Sequence, residues 1–501
     1  MPTKIDRNSL VKYYQANINI ALQRLAASGQ KITSLAQAQP LMRQLASHPN
    51  LDRLTLNVPA GSVKFIDVRQ TDPASLEQAK KVLLAGRVFN EEAFAGDATR
   101  IKKDDKGNPL PPGKYVMHDS KFFYTAKDLI KQANTVNLDL AADLKDDKAF
   151  MPMILGSLHL YKAAYEIYSL AKKSGKSDSE ARESLKSQYR TVVLPEKYWE
   201  EAVNEIIDNN YYGFDPEKIM FLIQAQLPGF SLTDGQAVSD PSAPPKIWNH
   251  GSIKMQSAVP GEIFKAFRHT DGSIIRQTVE EAELQKIFAR MDDAVSYNIE
   301  DMALIRTGEV ADLTMIGVAL AHKQQGCKFL MEIVAQNQAN PQKGGFLAFD
   351  PETARPLMLE TSMSGSLIDS SLKGQALEEQ LRKISYINRN FNHTMDLPYI
   401  FQQIRLGLKA AETGTLSALK PEERLLGYTH AEVKDGFLYP QPPQGDINLF
   451  VPTVFIGRDP LPQIEGLKVL GNIPMALSAL YQGSRQSGLA EFIATVKAKQ
   501  I

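Results

Sequence analysis

Glu300 and Asp301 stand side by side directly after the apolar segment AVSYNI (294–299). Adjacent acids at a strand end suit Mg2+, which takes carboxylate and phosphate oxygens together, and they are equally common as strand terminators. The stretch 83–117, LLAGRVFNEEAFAGDATRIKKDDKGNPLPPGKYVM, carries Gly86, Gly96, Gly107 and Gly113 with Arg100 and Lys114. Glycines let backbone N–H groups approach a phosphate and cations neutralise it, although a solvated loop has the same make-up. Gln224 closes the apolar run KIMFLIQAQ (218–226), where its amide could read a nucleobase edge or satisfy backbone groups at the strand end. In KIWNHGSIKMQ (246–256), Asn249, His250 and Gly251 form a polar loop.

These residues need elements to position them, and the chain alternates helix and strand patterns. Residues 9–47 read as two helices, with Leu10, Tyr14, Ile18, Leu22 and Leu25 at helical spacing, followed by a short strand VKFIDV (63–68). QAKKVLLAG (78–86) ends in a glycine, and 125–145 and 153–173 read as helices. TVVLP (191–195), KIMFLIQAQ, AVSYNI, KFLMEIV (328–334), GFLAF (345–349) and PLMLET (356–361) read as strands. Thr278 with Glu281 predicts a capped helix start, and 311–326 predicts a further helix. Apolar strands alternating with helices indicate an α/β layered fold with a largely parallel sheet, whose ligands bind at the carboxyl ends of strands. SDPSAPPK (239–246) and YPQPPQG (439–445) read as surface loops.

The bulk composition narrows the classes. The chain has 501 residues, with Lys+Arg and Asp+Glu both 57. That balance removes the broad attraction a general nucleic-acid binder needs. The single Cys327 allows no internal disulfide and reads as a small buried hydrophobe. No apolar run reaches the roughly 18–20 residues that span a bilayer. The expected location is cytoplasmic; leaderless export would leave no compositional trace.

Taken in order, the loops resemble the UDP-sugar pyrophosphorylase family, over roughly residues 80–395. That family includes UTP–glucose-1-phosphate uridylyltransferases and UDP-N-acetylhexosamine pyrophosphorylases. LLAG…GDATRI…PPGKY is similar to its glycine loop, with an insertion after Gly86, and places Arg100 and Lys114 at the phosphate-contacting positions. FLIQAQLPG places Gln224 at a uracil-reading glutamine, and Asn249-His250-Gly251-Ser252 resembles the loop that contacts uracil and sugar. NIEDM places Glu300 at a metal-contacting aspartate. MEIVAQNQANPQKGGFLAF, PLMLET and KISYINRNF then place Gly345, Glu360, Asn388 and Asn390 on the sugar.

The resemblance implies a nucleotidyltransferase (GT-A/Rossmann-like) fold with a central mixed sheet flanked by helices. It would comprise an N-terminal helical segment (1–75), a core (76–395) and a small C-terminal α+β domain (396–501). It further implies Mg2+-dependent joining of UTP, or another nucleoside triphosphate, to a sugar 1-phosphate, with release of pyrophosphate. On that reading Glu300 and Asp301 hold the metal. Three departures stand out: the paired glycines are missing, Glu300 replaces Asp, and Gln441 stands near the place of a phosphate-contacting lysine, for which Lys343 or Lys434 are substitutes. They leave two further readings open: a nucleotidyltransferase or hydrolase using water or a protein as acceptor, and an inactive nucleotide-binding module with a protein partner.

Overall fold

The computed structural model describes residues 5–27, 29–30, 32–35, 37, 53–67, 70–95, 120–125, 127, 153–298, 312–339, 341, 344–361, 367–369, 372–420, 423–427, 430–459 and 488–499. Helix α1 (Arg7–Ala27) is followed by strand β1 (Lys64–Asp67), helix α2 (Pro73–Leu84) and strand β2 (Val88–Ala93). Helices α3 (Leu155–Lys173) and α4 (Asp178–Lys186) lead to β3 (Arg190–Pro195), α5 (Trp199–Asp208) and β4 (Ile219–Gln224). Short strands β5 (Gln226–Leu227), β6 (Phe230–Thr233), β7 (Gln236–Ser239) and β8 (Lys246–Ile247) precede α6 (Gly251–Ser257). Then come β9 (Ile263–Arg268), β10 (Ile274–Thr278), α7 (Glu281–Ala289), β11 (Asp293–Asn298), α8 (Leu313–Gln324) and β12 (Phe329–Ala335). The hairpin β13 (Gly345–Asp350) and β14 (Arg355–Glu360) is followed by α9 (Gly374–Leu381), β15 (Tyr386–Thr394) and α10 (Leu397–Glu412). Strands β16 (His430–Lys434), β17 (Phe437–Gln441) and β18 (Thr453–Asp459) and helix α11 (Leu489–Lys497) complete the described chain.

Among the described residues, one twelve-stranded mixed sheet runs β1-β18-β12-β15-β11-β2-β3-β4-β9-β10, with β13 joined to β15 and β14 to β13. Strands β11, β2, β3 and β4 are mutually parallel, and β15 and β9 flank them antiparallel. The sheet is therefore mixed, as the resemblance implies, with its parallel strands at the centre. Its alternation is read directly in burial. On one face Phe89, Val193, Met220, Leu222 and Ala294 join a core with α1, α7 and α10. On the other, Val192, Leu194, Ile219 and Phe221 pack against α3, α5 and α11. This is the period of two that a central strand imposes.

Elements of the three expected segments share one sheet and one core. Strand β18, from the C-terminal segment, lies between β12 of the core and β1 of the N-terminal segment. Helix α1 places Tyr13, Tyr14, Ile18 and Leu22 in the same core as α10. The capping pair predicted at Thr278 and Glu281 also fails to form: Thr278 is held in the β9–β10 ladder opposite Phe264, and Glu280 occupies the cap position.

Candidate functional site

A cleft of about 510 Å³, open to solvent, lies at the carboxyl ends of the parallel strands. Strand β2 contributes Glu91 and Ala93, and β11 contributes Ser296 and Tyr297. Asn249 and His250 enter from the turn before α6, Glu360 from the end of β14, and Asn388 and Asn392 from β15. Pro443, Gln444 and Gly445 form the remaining wall. Four residues singled out by sequence thus meet in one cleft: Asn249, His250, Glu360 and Asn388.

Two predicted glycines act by allowing these walls to close. A Cβ on Gly251 would stand 2.6 Å from the Pro442 carbonyl oxygen, which accepts a 2.7 Å bond from the Gly251 N–H. Only a residue without a side chain lets α6 meet that wall. Gly345 pairs with Glu360 across the hairpin, and a Cβ there would sit 3.1 Å from the Glu360 carboxylate and 3.3 Å from Asn388. The wall itself is fastened by Asn448, whose amide donates to Gly445 O at 2.6 Å and Met358 O at 3.0 Å and accepts from Met358 N–H. The segment read as a surface loop, YPQPPQG, is therefore largely buried, and residues 443–445 of it wall the cleft.

Other predicted residues are placed differently. Gly86 is not brought to the cleft. It adopts φ 66° in the turn that ends α2, with Gly86 N–H bonded to Leu83 O and Arg87 N–H to Val82 O, a helix-terminating pattern at the opposite end of β2. The segment that follows β2 begins at Phe94, and residues 96–119 of it lie outside the described residues. Gln224 ends β4 and is buried, but its amide points to the Trp248 carbonyl at 3.4 Å rather than lining the cleft. Lys434 and Gln441 belong to the β16–β17 hairpin, outside the cleft lining. Arg100, Lys114, Glu300, Asp301, Lys343 and the side chain of Asn390 lie outside the described residues.

Sequence reasoning missed the charged residues of β2. Adjacent in sequence, Glu91 and Glu92 point to opposite faces. Glu91 meets Lys254 Nζ at 3.0 Å on the cleft side. Glu92 is fully buried on the far side, bonded to Arg190 at 2.6 Å and to the Tyr297 hydroxyl at 2.8 Å, with His159 at 3.6 Å. Burial alone would raise the Glu92 carboxyl, but Arg190, His159 and Tyr297 hold it below the usual carboxylate range. Asp446, next to Gly445, is the reverse case. Burial first, then the Glu360 carboxylate, push it well above that range, and its Oδ2 meets no hydrogen-bond partner. No Lys or Arg lines the cleft among the described residues, and no group of three His, Cys, Asp or Glu gathers there to hold a metal. No described helix is long and apolar enough to cross a membrane.

No family model matches the chain, and no curated protein sequence matches it significantly. Among solved structures, it is similar to the uridine diphosphate N-acetylglucosamine pyrophosphorylase of Trypanosoma brucei, with 15% identity over 90% of this chain and 78% of that one, TM-score 0.48. It is similar to a Leishmania major UDP-glucose pyrophosphorylase variant in complex with UDP-glucose, with 11% identity over 88% and 75% of the two chains, TM-score 0.45. A Trypanosoma brucei UDP-glucose phosphorylase gives 12% identity over 88% and 74%, TM-score 0.43. At these identities and scores the likenesses bear no weight on function; what the chain does is read from its own cleft, on a mixed α/β sheet flanked by helices.

Proposed function

We propose that the chain is a nucleotidyltransferase that joins UTP to a sugar 1-phosphate and releases pyrophosphate. The observation that carries this reading is the convergence of Asn249, His250, Glu360 and Asn388, from four separate segments, on one strand-end cleft. Amide and carboxylate side chains of this kind suit sugar hydroxyls. The nucleophile is already a phosphate oxygen, so no covalent intermediate with the protein is required and catalysis is positioning plus charge neutralisation. Arg100 and Lys114, on the segment that follows β2, would meet the phosphates; Glu300 and Asp301, following β11, would hold Mg2+. Bound there, the ion would offset the charge on the leaving pyrophosphate. The test is incubation with UTP, Mg2+ and glucose 1-phosphate, following pyrophosphate. Release that needs the sugar phosphate supports the reading, and Glu360→Ala should then raise KM for it by about tenfold or more. Nucleotide turnover without sugar contradicts it.

A second reading has one observation in its favour. The cleft lining holds carboxylates and amides but no Lys or Arg among the described residues. An inactive nucleotide-binding module would show binding of UTP or UDP-sugar with no pyrophosphate under any condition.

A further inference from the structure

Among the described residues eight carboxylates are buried, and seven of them stand beside a cation. Glu91 meets Lys254, Glu92 meets Arg190, Glu166 meets Lys162, Asp293 meets His393 and Asp350 meets Arg53, while Asp312 and Glu332 share Arg458. The separations run from 2.5 to 3.5 Å. Asp446 is the eighth. It is 1% exposed, and among the described residues no Lys, Arg or His pairs with it. Glu360 of β14 and the Tyr14 phenol of α1 interact with it electrostatically. Beside the adjoining Gly445, β12 presents Met331 and β15 presents Asn388, both neutral. From the α6 segment, Lys254 is taken up by Glu91 and His250 lines the cleft. An isolated buried carboxylate costs far more than a buried carboxylic acid, so Asp446 keeps its proton.

Asp446 lies where two walls of the cleft join. Gly445, before it, lines the cleft, and Asn448, two residues on, binds the Met358 N–H and carbonyl. Met358 and Glu360 are two apart on β14 and project to one face, so the wall and Glu360 are held at one junction. We propose that Asp446 is a positioning residue of the cleft: with its proton in place the 443–446 wall docks against Glu360, and loss of that proton drives the two apart. This rests on the function proposed above and assigns to its site a regulation by pH. An uncharged Asp446 leaves Glu360 without a like charge beside it. Once Asp446 is ionised, the two carboxylates repel through an interior that screens poorly. Because the folded value is raised, folding takes up a proton above the unfolded value near 3.9, and stability is lost as pH rises towards the folded value. Asp446→Asn, a neutral isostere, escapes that loss.

Asp446→Asn in the full chain tests this by two measurements. In urea unfolding at pH 5 and pH 6, the folding constant of the variant should gain about tenfold on the wild type, the effect of one proton over one pH unit. Other carboxylates titrate alike in both proteins and cancel in that ratio. In calorimetric titration with UDP-glucose at pH 6 and pH 10, wild-type affinity should fall by about tenfold or more relative to the variant, the effect of one like-charge contact. His393 and the uracil ring titrate in both proteins and cancel likewise. A stability ratio that stays constant, or a variant that is unfolded or less stable than the wild type at pH 6, overturns the proposal. A widening stability ratio with affinities that stay parallel overturns the positioning role and leaves the nucleotidyltransferase reading standing. A wild type that binds no UDP-glucose at either pH overturns that reading, and the positioning role with it, whatever the stability ratio does.

Discussion

Glu91 and Glu92 are neighbours on one strand, yet the two faces of the sheet treat them differently. On the far face, Glu92 is enclosed by Arg190, Tyr297 and His159, and Arg190 stacks over Phe214 at 4.0 Å. On the cleft face, Glu91 meets Lys254 and lies between Ser296 of β11 and Thr191 of β3, whose hydroxyls have no hydrogen-bond partner. The far side is an interior ion-pair cluster whose partners come from the protein itself. Unpartnered buried atoms occur on both faces, Glu92 Oε2 and Arg190 Nε among them, but on the cleft side Glu91, Ser296 and Asn392 line a space open to solvent. Polar residues at the centre of this sheet thus divide into a far-side ion-pair cluster and a cleft-side row.

Breaking the closed side should have the largest effect. Arg190→Met leaves Glu92 buried without its main cation and is expected to destabilise the fold by about 3–5 kcal/mol, read as a lower urea midpoint. A loss no greater than that of Glu91→Gln would erase the distinction between the faces. On the same far side, His393 meets Asp293 at 2.6 Å and lies 3.9 Å from Glu332, which Arg458 also engages. Burial opposes its charge, but the Asp293 and Glu332 carboxylates pull its imidazole up to about 9. A raised folded value stabilises below the unfolded value near 6.5, and that stability is lost as pH rises through about 9. Urea midpoints measured from pH 6 to 10 should therefore fall by the equivalent of about 3 kcal/mol, and His393→Gln should flatten this segment of the curve. A wild-type curve already flat there would show that the imidazole is neutral in the fold. Gly251→Ala sharpens the cleft side. Its Cβ would crowd the Pro442 carbonyl at 2.6 Å, so about 1–3 kcal/mol of stability should be lost with weaker ligand binding. An alanine variant with unchanged Tm and affinity would mean that this wall is loosely packed.

The strand-end residues were legible because their strands are strongly apolar: KIMFLIQ and PLMLE announce themselves, and the polar residue that ends each run stands out. Strand β2 is the opposite. VFNEEA has three polar residues at its centre, so it merges with the glycine-bearing segment on either side, and Gly86 reads as part of a phosphate loop although it ends a helix. Only the neighbours β3 and β11 make it a strand. The placement of β18 between β1 and β12 was hidden for a related reason, since pairing across hundreds of residues leaves no local mark. Asp446 and Asn448 belong to a proline-rich turn whose composition suggests a surface, and their burial depends on the hairpin and helix packed over it. The Thr278 cap failed because a hydroxyl in a strand ladder is not placed to cap the next helix.

The central claim is that one cleft gathers Asn249, His250, Glu360 and Asn388 around a nucleotide sugar. Amide hydrogen exchange of the full chain with and without UDP-glucose tests it most directly. Protection concentrated at residues 249–253, 358–361, 386–392 and 443–446, with little change along α3 and α5 on the far face, is the predicted result. Binding that leaves those segments unprotected, or protects the far face instead, would contradict it.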